Sequence, residues 1–138
     1  MSNTIYTAVA TSTGEGRGGQ VASSDGQLDL ELSLPGSGQS GTNPEQLFAA
    51  GWSACFHSAV KGVAKKRKLT LEDSAVVAEV SLSSEPGSGY SLSGVIRLEA
   101  AGISQEELES LAAEADATCP YSKAVRGNID VVVEATAG

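Results

Sequence analysis

The sequence predicts a domain that mixes strands and helices: three strands, a long helix, two strands, one or two helices and a closing strand. Three observations carry that order. Leu28, Leu30, Leu32 and Leu34 alternate with Asp29, Glu31 and Ser33, the period of a strand with one buried face. Asn43-Pro44 opens a stretch in which small and apolar residues recur every three or four positions, the period of a helix. Ser104-Gln-Glu-Glu107 is a capping box placed just before Leu108, Leu111, Ala112, Ala115 and Cys119, which again follow the helical period.

Taken in order, residues 5–11 carry Ile, Tyr, Val and Thr and predict a first strand, which leads into Gly14-Glu-Gly-Arg17-Gly-Gly19, a mobile or tightly turned loop. Asp25-Gly26 is a hairpin signal between Val21-Ala-Ser-Ser and the alternating leucines. Residues 35–41, rich in glycine and serine, form a flexible loop by composition. The first helix starts with Asn43 as cap, Pro44 at its first position and Gln46 three residues after the cap, and runs to about Lys68. Leu47, Gly51, Cys55, Ala59 and Gly62 share one of its faces, so the Cys55 thiol is expected to point inward. Residues 76–83 and 90–99 are strands around the turn Glu85-Pro-Gly-Ser-Gly89. Pro120 cannot continue the second helix without losing a hydrogen bond, which predicts a break or a fresh helical turn beside Cys119. Gly127-Asn128 ends that turn, and Ile129, Val131 and Val133 mark the last strand.

At 138 residues the chain fits a single domain over its whole length, and 41% hydrophobic residues can fill its core. A net charge of -8 opposes a nucleic-acid role, because binding to phosphates rests on Lys and Arg. The N-terminus lacks the basic and apolar regions of a signal peptide, and no apolar run is long enough for a membrane span. The expected address is cytoplasmic, where thiols are kept reduced. Two cysteines there are buried apolar residues or catalytic thiols, and composition does not choose between them.

A reactive buried cysteine needs a cation or dipole, since the thiolate is the nucleophile and an apolar site disfavours it. Cys55 lies mid-helix and gains nothing from the N-terminus of its own helix. His57, the only histidine, stands two residues away on another part of the helix surface, so it reads as a partly buried or surface imidazole rather than a general base. Arg17 is the better cation: flanking glycines let its loop fold over a pocket, and guanidinium keeps its charge when desolvated. Glu45, in the first turn of the cysteine helix, could hold that fork bidentately. A solvated Arg17 and a helix-dipole role for Glu45 are the simpler alternatives and stay open on spacing alone. Lys61 and Lys65-Lys-Arg-Lys68 complement the end of a helix, as Glu106, Glu107 and Glu109 complement the start of one. With two cysteines and one histidine no zinc site is expected, and no nucleotide-binding pattern is present.

Thr42-Asn-Pro-Glu-Gln-Leu-Phe-Ala-Ala-Gly-Trp-Ser-Ala-Cys-Phe56, Cys119-Pro-Tyr-Ser-Lys-Ala-Val-Arg-Gly-Asn128, and Gly-Arg17-Gly followed by Ser24-Asp-Gly26 closely resemble the organic hydroperoxide resistance proteins of the Ohr/OsmC superfamily. The similarity covers nearly the whole chain in the same order. Trp52 stands where a Tyr is usual, Thr118 precedes the second cysteine in place of a common Val, and the loop before Thr42 is short. The resemblance implies an α+β fold with curved antiparallel sheets around a buried central helix, assembled as an intertwined homodimer. It implies a peroxidase of organic hydroperoxides in which Cys55 is the peroxidatic residue and Cys119 the resolving one. Arg17 would stabilise thiolate and peroxide, with Glu45 orienting Arg17. No bound cofactor is implied, and the expected reductant is dihydrolipoamide or a lipoylated protein. An OsmC-type peroxidase of broader substrate range, and a non-catalytic domain of the same fold that binds an apolar ligand, are the competing readings.

Overall fold

The computed structural model describes residues 2–138, and they fall into two compact units, one up to Leu47 and one from Phe48 to Gly138. The first unit holds a three-stranded antiparallel sheet of β1 (Ala10–Thr13), β2 (Gln20–Ser23) and β3 (Asp29–Glu31), in that order. Strand pairing begins later than the sequence predicts. Ile5 and Tyr6 are almost wholly exposed and belong to no strand, so their β-forming side chains have no packed surface to rest on. Between β1 and β2 the glycine-rich segment folds into a single 3-10 turn, Gly16–Gly18, with Gly16 at φ 68° and a Gly19 N–H to Gly16 O bond of 2.9 Å. Asp25-Gly26 does turn the chain, within a five-residue connection in which the Asp25 carboxylate accepts from the Ser23 hydroxyl and the Gln27 N–H. The leucine alternation is only half used: Leu32 is buried, whereas Leu34 lies beyond the end of β3 and is exposed. Leu32 and Thr42 form a parallel bridge, which brings the loop back to the start of the long helix.

That helix, α1, spans Pro44–Lys66. The Asn43 side chain accepts from the Gln46 N–H at 2.9 Å, as an N-cap should. The reciprocal half of the capping box is absent, because the Gln46 side chain is engaged by the Thr42 hydroxyl at 2.6 Å. At the far end Lys68 takes φ 58° and the Leu69 N–H reaches back to Ala64 O, which stops the helix two residues before the expected Lys68.

In the second unit β4 (Glu72–Glu85) and β5 (Gly89–Ala101) form a long antiparallel hairpin. Then come α2 (Gln105–Thr118), α3 (Pro120–Val125) and β6 (Asp130–Ala137). The element order is the one predicted. One pairing departs from the expected antiparallel arrangement: β6 runs parallel to β5, since α2 and α3 together supply the crossover that a parallel pair requires. The Ser104 hydroxyl caps α2 by accepting from Glu107 N–H at 3.1 Å.

The core of this unit gathers one stripe from each of three elements: Trp52, Phe56, Val60 and Val63 of α1, Ile96 and Leu98 of β5, and Leu108, Leu111 and Ala115 of α2, with Cys119 among them. Each Val, Leu, Ile or Phe side chain among them, fully removed from water, contributes about 1.5–3 kcal/mol. The stripe on α1 is not the one predicted. The bulky residues take the core, Cys55 lies at its margin, and Ala50, Ala54, Ser58 and Gly62 face outward. Arg67, just past the end of α1, bridges to Ser110 and Glu114 of α2.

Candidate functional site

Cys119 is the corner between two helices. It ends α2 and caps α3, with φ -64° and ψ 122°, and its side chain is fully buried. Pro120 at the first position of α3 enforces that corner, as expected from its lack of an N–H. The N–H groups that follow a helix start have no partner within the helix. One of them, on Tyr121, bonds to the Cys55 sulfur. Sequence reasoning missed this donor, which comes from the first turn of a different helix. Its signal was nonetheless present: a proline directly after Cys119 marks where free N–H groups must appear.

Tyr121 approaches α1 where that helix has no side chain. A Cβ on Gly51 would lie 2.7 Å from the Tyr121 hydroxyl, so glycine is what admits the ring, and Phe48 packs edge-on against it with centroids 6.2 Å apart. The neighbouring Ser122 is buried and accepts the Trp52 indole N–H at 3.1 Å. Trp52 in turn lies over Gly94 of β5, where a Cβ would come within 2.6 Å of its ring. Trp52, flagged by the sequence as a departure from the usual Tyr, is thus a core residue joining α1, α3 and β5.

The two cysteines are both free thiols, and the structure brings them close enough for Cys119 to act on the Cys55 thiol. Burial pushes the Cys55 thiol up, the Tyr121 N–H draws it down, and Cys119 raises it further. Cys55 also lines a groove of about 450 Å³ whose walls include Ala59, Gly62, Val63 and Pro120, with Lys66, Glu114 and Thr118 at its margins. An alkyl chain fits such walls, gaining about 0.8 kcal/mol per buried methylene. Thr118 itself turns its hydroxyl back to the Glu114 and Ala115 carbonyls.

In the first unit Arg17 and Glu45 form a fork-to-fork pair, Nη1 to Oε1 at 2.7 Å and Nη2 to Oε2 at 2.8 Å. The bidentate option is therefore the one realised. Arg17 holds the Glu45 carboxyl below its usual value. His57 bonds through Nε2 to Ser74 Oγ at 2.9 Å, and burial followed by the Lys61 charge lowers its pKa, in line with the plain reading of that residue. Among the described residues no cluster of His, Cys, Asp and Glu could hold a metal ion, and no helix is long and apolar enough to cross a membrane.

Comparison with known proteins agrees with this α+β architecture. A family described as OsmC-like protein matches residues 36–134. The organic hydroperoxide resistance protein OhrA of Bacillus subtilis (strain 168) is 44% identical over 140 residues, covering 97% of this chain and 98% of that protein. The organic hydroperoxide resistance protein of Xanthomonas axonopodis pv. citri (strain 306) is 46% identical, covering 94% of this chain and 93% of its own. A crystal structure from Legionella pneumophila, of an organic hydroperoxide resistance protein OsmC, superposes with a TM-score of 0.92 at 44% identity, over 97% of this chain and 99% of that one. The chain belongs to the OsmC-like family, in the branch of the organic hydroperoxide resistance proteins.

Proposed function

We propose that this protein reduces organic hydroperoxides to alcohols by thiol chemistry. The Cys55 thiolate attacks the distal peroxide oxygen, the O–O bond breaks, and the alkoxide leaves as the alcohol after taking a proton. Cys55 becomes a sulfenic acid, and the Cys119 thiol condenses with it to give a disulfide and water before further oxidation can occur. A lipoyl-type dithiol, dihydrolipoamide or a lipoylated protein, then reduces the disulfide. Arg17 stabilises thiolate and peroxide, and Glu45 orients its fork. The observation that carries this reading is the pair of neighbouring free thiols, one of which lines a largely apolar groove. The names of the relatives support the substrate class.

A homodimer is part of the proposal. The outward stripe of Ala50, Ala54, Ser58 and Gly62 on α1 suits burial against a second copy. Light scattering on the purified protein tests it, and a monomer at working concentration would refute it.

One observation favours a second reading. Burial pushes the Cys55 thiol up, which is what an inert cysteine in an apolar-ligand-binding domain would show. The deciding experiment is a thiol titration of reduced protein against one equivalent of an organic hydroperoxide, with hydrogen peroxide in parallel and dihydrolipoamide added afterwards. Peroxidase chemistry predicts rapid loss of both thiols with the organic peroxide and their return with the dithiol. Persistence of both thiols sinks it and leaves ligand binding. Cys55→Ser removes the activity if the assignment holds.

A further inference from the structure

The corner at Cys119 is a hinge that something must hold. Its N–H bonds to Ala115 O at 2.8 Å and its carbonyl accepts from the Lys123 N–H at 2.9 Å. The first bond belongs to α2 and the second to α3, so neither fixes the angle between the helices. The ring of Pro120 locks its own φ. The angle between the helices is then set by the φ and ψ of Cys119 itself, -64° and 122°.

The two helices are anchored separately. α3 is tied to α1 by the Ser122–Trp52 bond and by Tyr121 seated at Gly51, which also keeps the Tyr121 N–H on the Cys55 sulfur. α2 carries Cys119. Arg67 ties α2 to the end of α1, and Arg126 joins α2 to α3 directly: its Nη2 donates to the Asp116 carbonyl at 2.6 Å and lies 3.8 Å from the Asp116 carboxylate. Asp116 is in the last turn of α2, where carbonyls lack helical partners and a cation suits the dipole.

Building on the proposed peroxidase cycle, we infer that Arg126 is a positioning residue for disulfide closure, spanning the α2–α3 corner so that the Cys119 sulfur stays in reach of oxidised Cys55. In that step the S–O bond of the Cys55 sulfenic acid breaks, an S–S bond forms, and oxygen leaves as water with the Cys119 proton. No outside oxidant enters. The competing fate is a second peroxide equivalent, which takes the sulfenic acid to sulfinic acid. Arg126 and Asp116 are half-exposed, so their ion pair adds little to folding stability and the role lies in geometry. Peroxide attack in the proposed cycle rests on Cys55, the Tyr121 N–H, Arg17 and Glu45, whereas the bonds of Arg126 go to Asp116.

The test mixes reduced wild type, Arg126→Gln and Arg126→Lys with cumene hydroperoxide, quenches each at intervals with dimedone, and follows sulfenic, disulfide and sulfinic forms by mass. Since misplacement by about 1 Å can cost up to about a hundredfold in rate, Arg126→Gln should close its disulfide about tenfold or more slowly. It should also accumulate sulfinic acid at excess peroxide, with the rate of thiol attack unchanged. Arg126→Lys, which can still donate to the Asp116 carbonyl, should restore most of the closure rate. Equal closure in all three proteins overturns the inference, as does an equal fall in attack and closure, or an Arg126→Gln variant that does not fold. A wild type that forms no disulfide at all overturns the proposed function and takes this inference with it.

Discussion

The Trp52 indole N–H donates to the Ser122 hydroxyl at 3.1 Å inside the core, joining residues 70 apart in the chain. This bond fastens the short α3 to α1 beside both cysteines. In Ser122→Ala the buried indole N–H loses its acceptor, and an unsatisfied buried donor costs about 1–3 kcal/mol. Urea denaturation followed by Trp52 fluorescence should show that loss. An unchanged midpoint would mean that the bond contributes nothing net.

Gly94→Ala and Gly51→Ala both add one methyl group against an aromatic ring, and their effects should differ. At Gly94 the methyl meets Trp52, which is fully buried and cannot move aside. Overpacking of that kind costs about 1–3 kcal/mol. At Gly51 it meets Tyr121, whose 41% exposure leaves the ring room to swing out. The stability loss there should be smaller; if the ring does not swing out fully, α3 shifts instead, and the reactivity of Cys55 changes with the Tyr121 N–H. Melting curves and thiol alkylation rates measured on both variants separate the two effects.

Cys119→Ala should make Cys55 more acidic. Burial is the larger cause of the raised Cys55 thiol, and it remains, but the hydrogen bond and charge of Cys119 both raise it too and are removed. The pH profile of Cys55 alkylation by iodoacetamide should move to lower pH in the variant. A profile that moves up instead would contradict the reading of the pair.

Glu45 gives a pH dependence of known sign. Arg17 holds the Glu45 carboxyl below its usual value, so the folded pKa is depressed. The pair therefore stabilises the first unit above the unfolded carboxylate value of about 4.3, and that contribution is lost as pH falls through the depressed value. The carbon shift of the Glu45 carboxylate, followed by NMR, should titrate below the ordinary range in the wild type and return to it in Arg17→Ala. Within the proposed cycle, Arg17→Ala and Glu45→Gln should each lower kcat/KM for an organic hydroperoxide by about 10²–10³, the usual cost of losing one preorganised donor at a reacting centre.

Local rules with a one-residue cause were legible in the sequence: the Asn43 and Ser104 caps, the Pro120 corner, the turn at 85–89 and the helical stripe ending in Cys119. What escaped was decided by tertiary packing. Ile5 and Tyr6 have strand chemistry and no strand, because pairing starts only at Ala10. On α1 two stripes were available at the same period, and the larger side chains of Trp52, Phe56 and Val60 won the core over Gly51, Cys55 and Ala59. The two cysteines and the Arg17–Glu45 pair could be nominated from residue type. The Tyr121 N–H was signalled only by Pro120, which marks a helix start with free N–H groups, while its partner on another helix is a matter of tertiary packing.

The parallel register of β6 on β5 decides when the two thiols can meet. Cys119 lies in the crossover between those strands, and parallel pairing of distant segments is slow to form because loop closure must come first. In a chain that has folded α1 and the β4–β5 hairpin but not docked β6, Cys55 and Cys119 are two unrelated cysteines. Within the proposed cycle, a peroxide arriving then meets a thiol with no resolving neighbour, so a nascent or partly unfolded molecule is oxidised as a victim, and only the finished fold turns the same event into a reversible one.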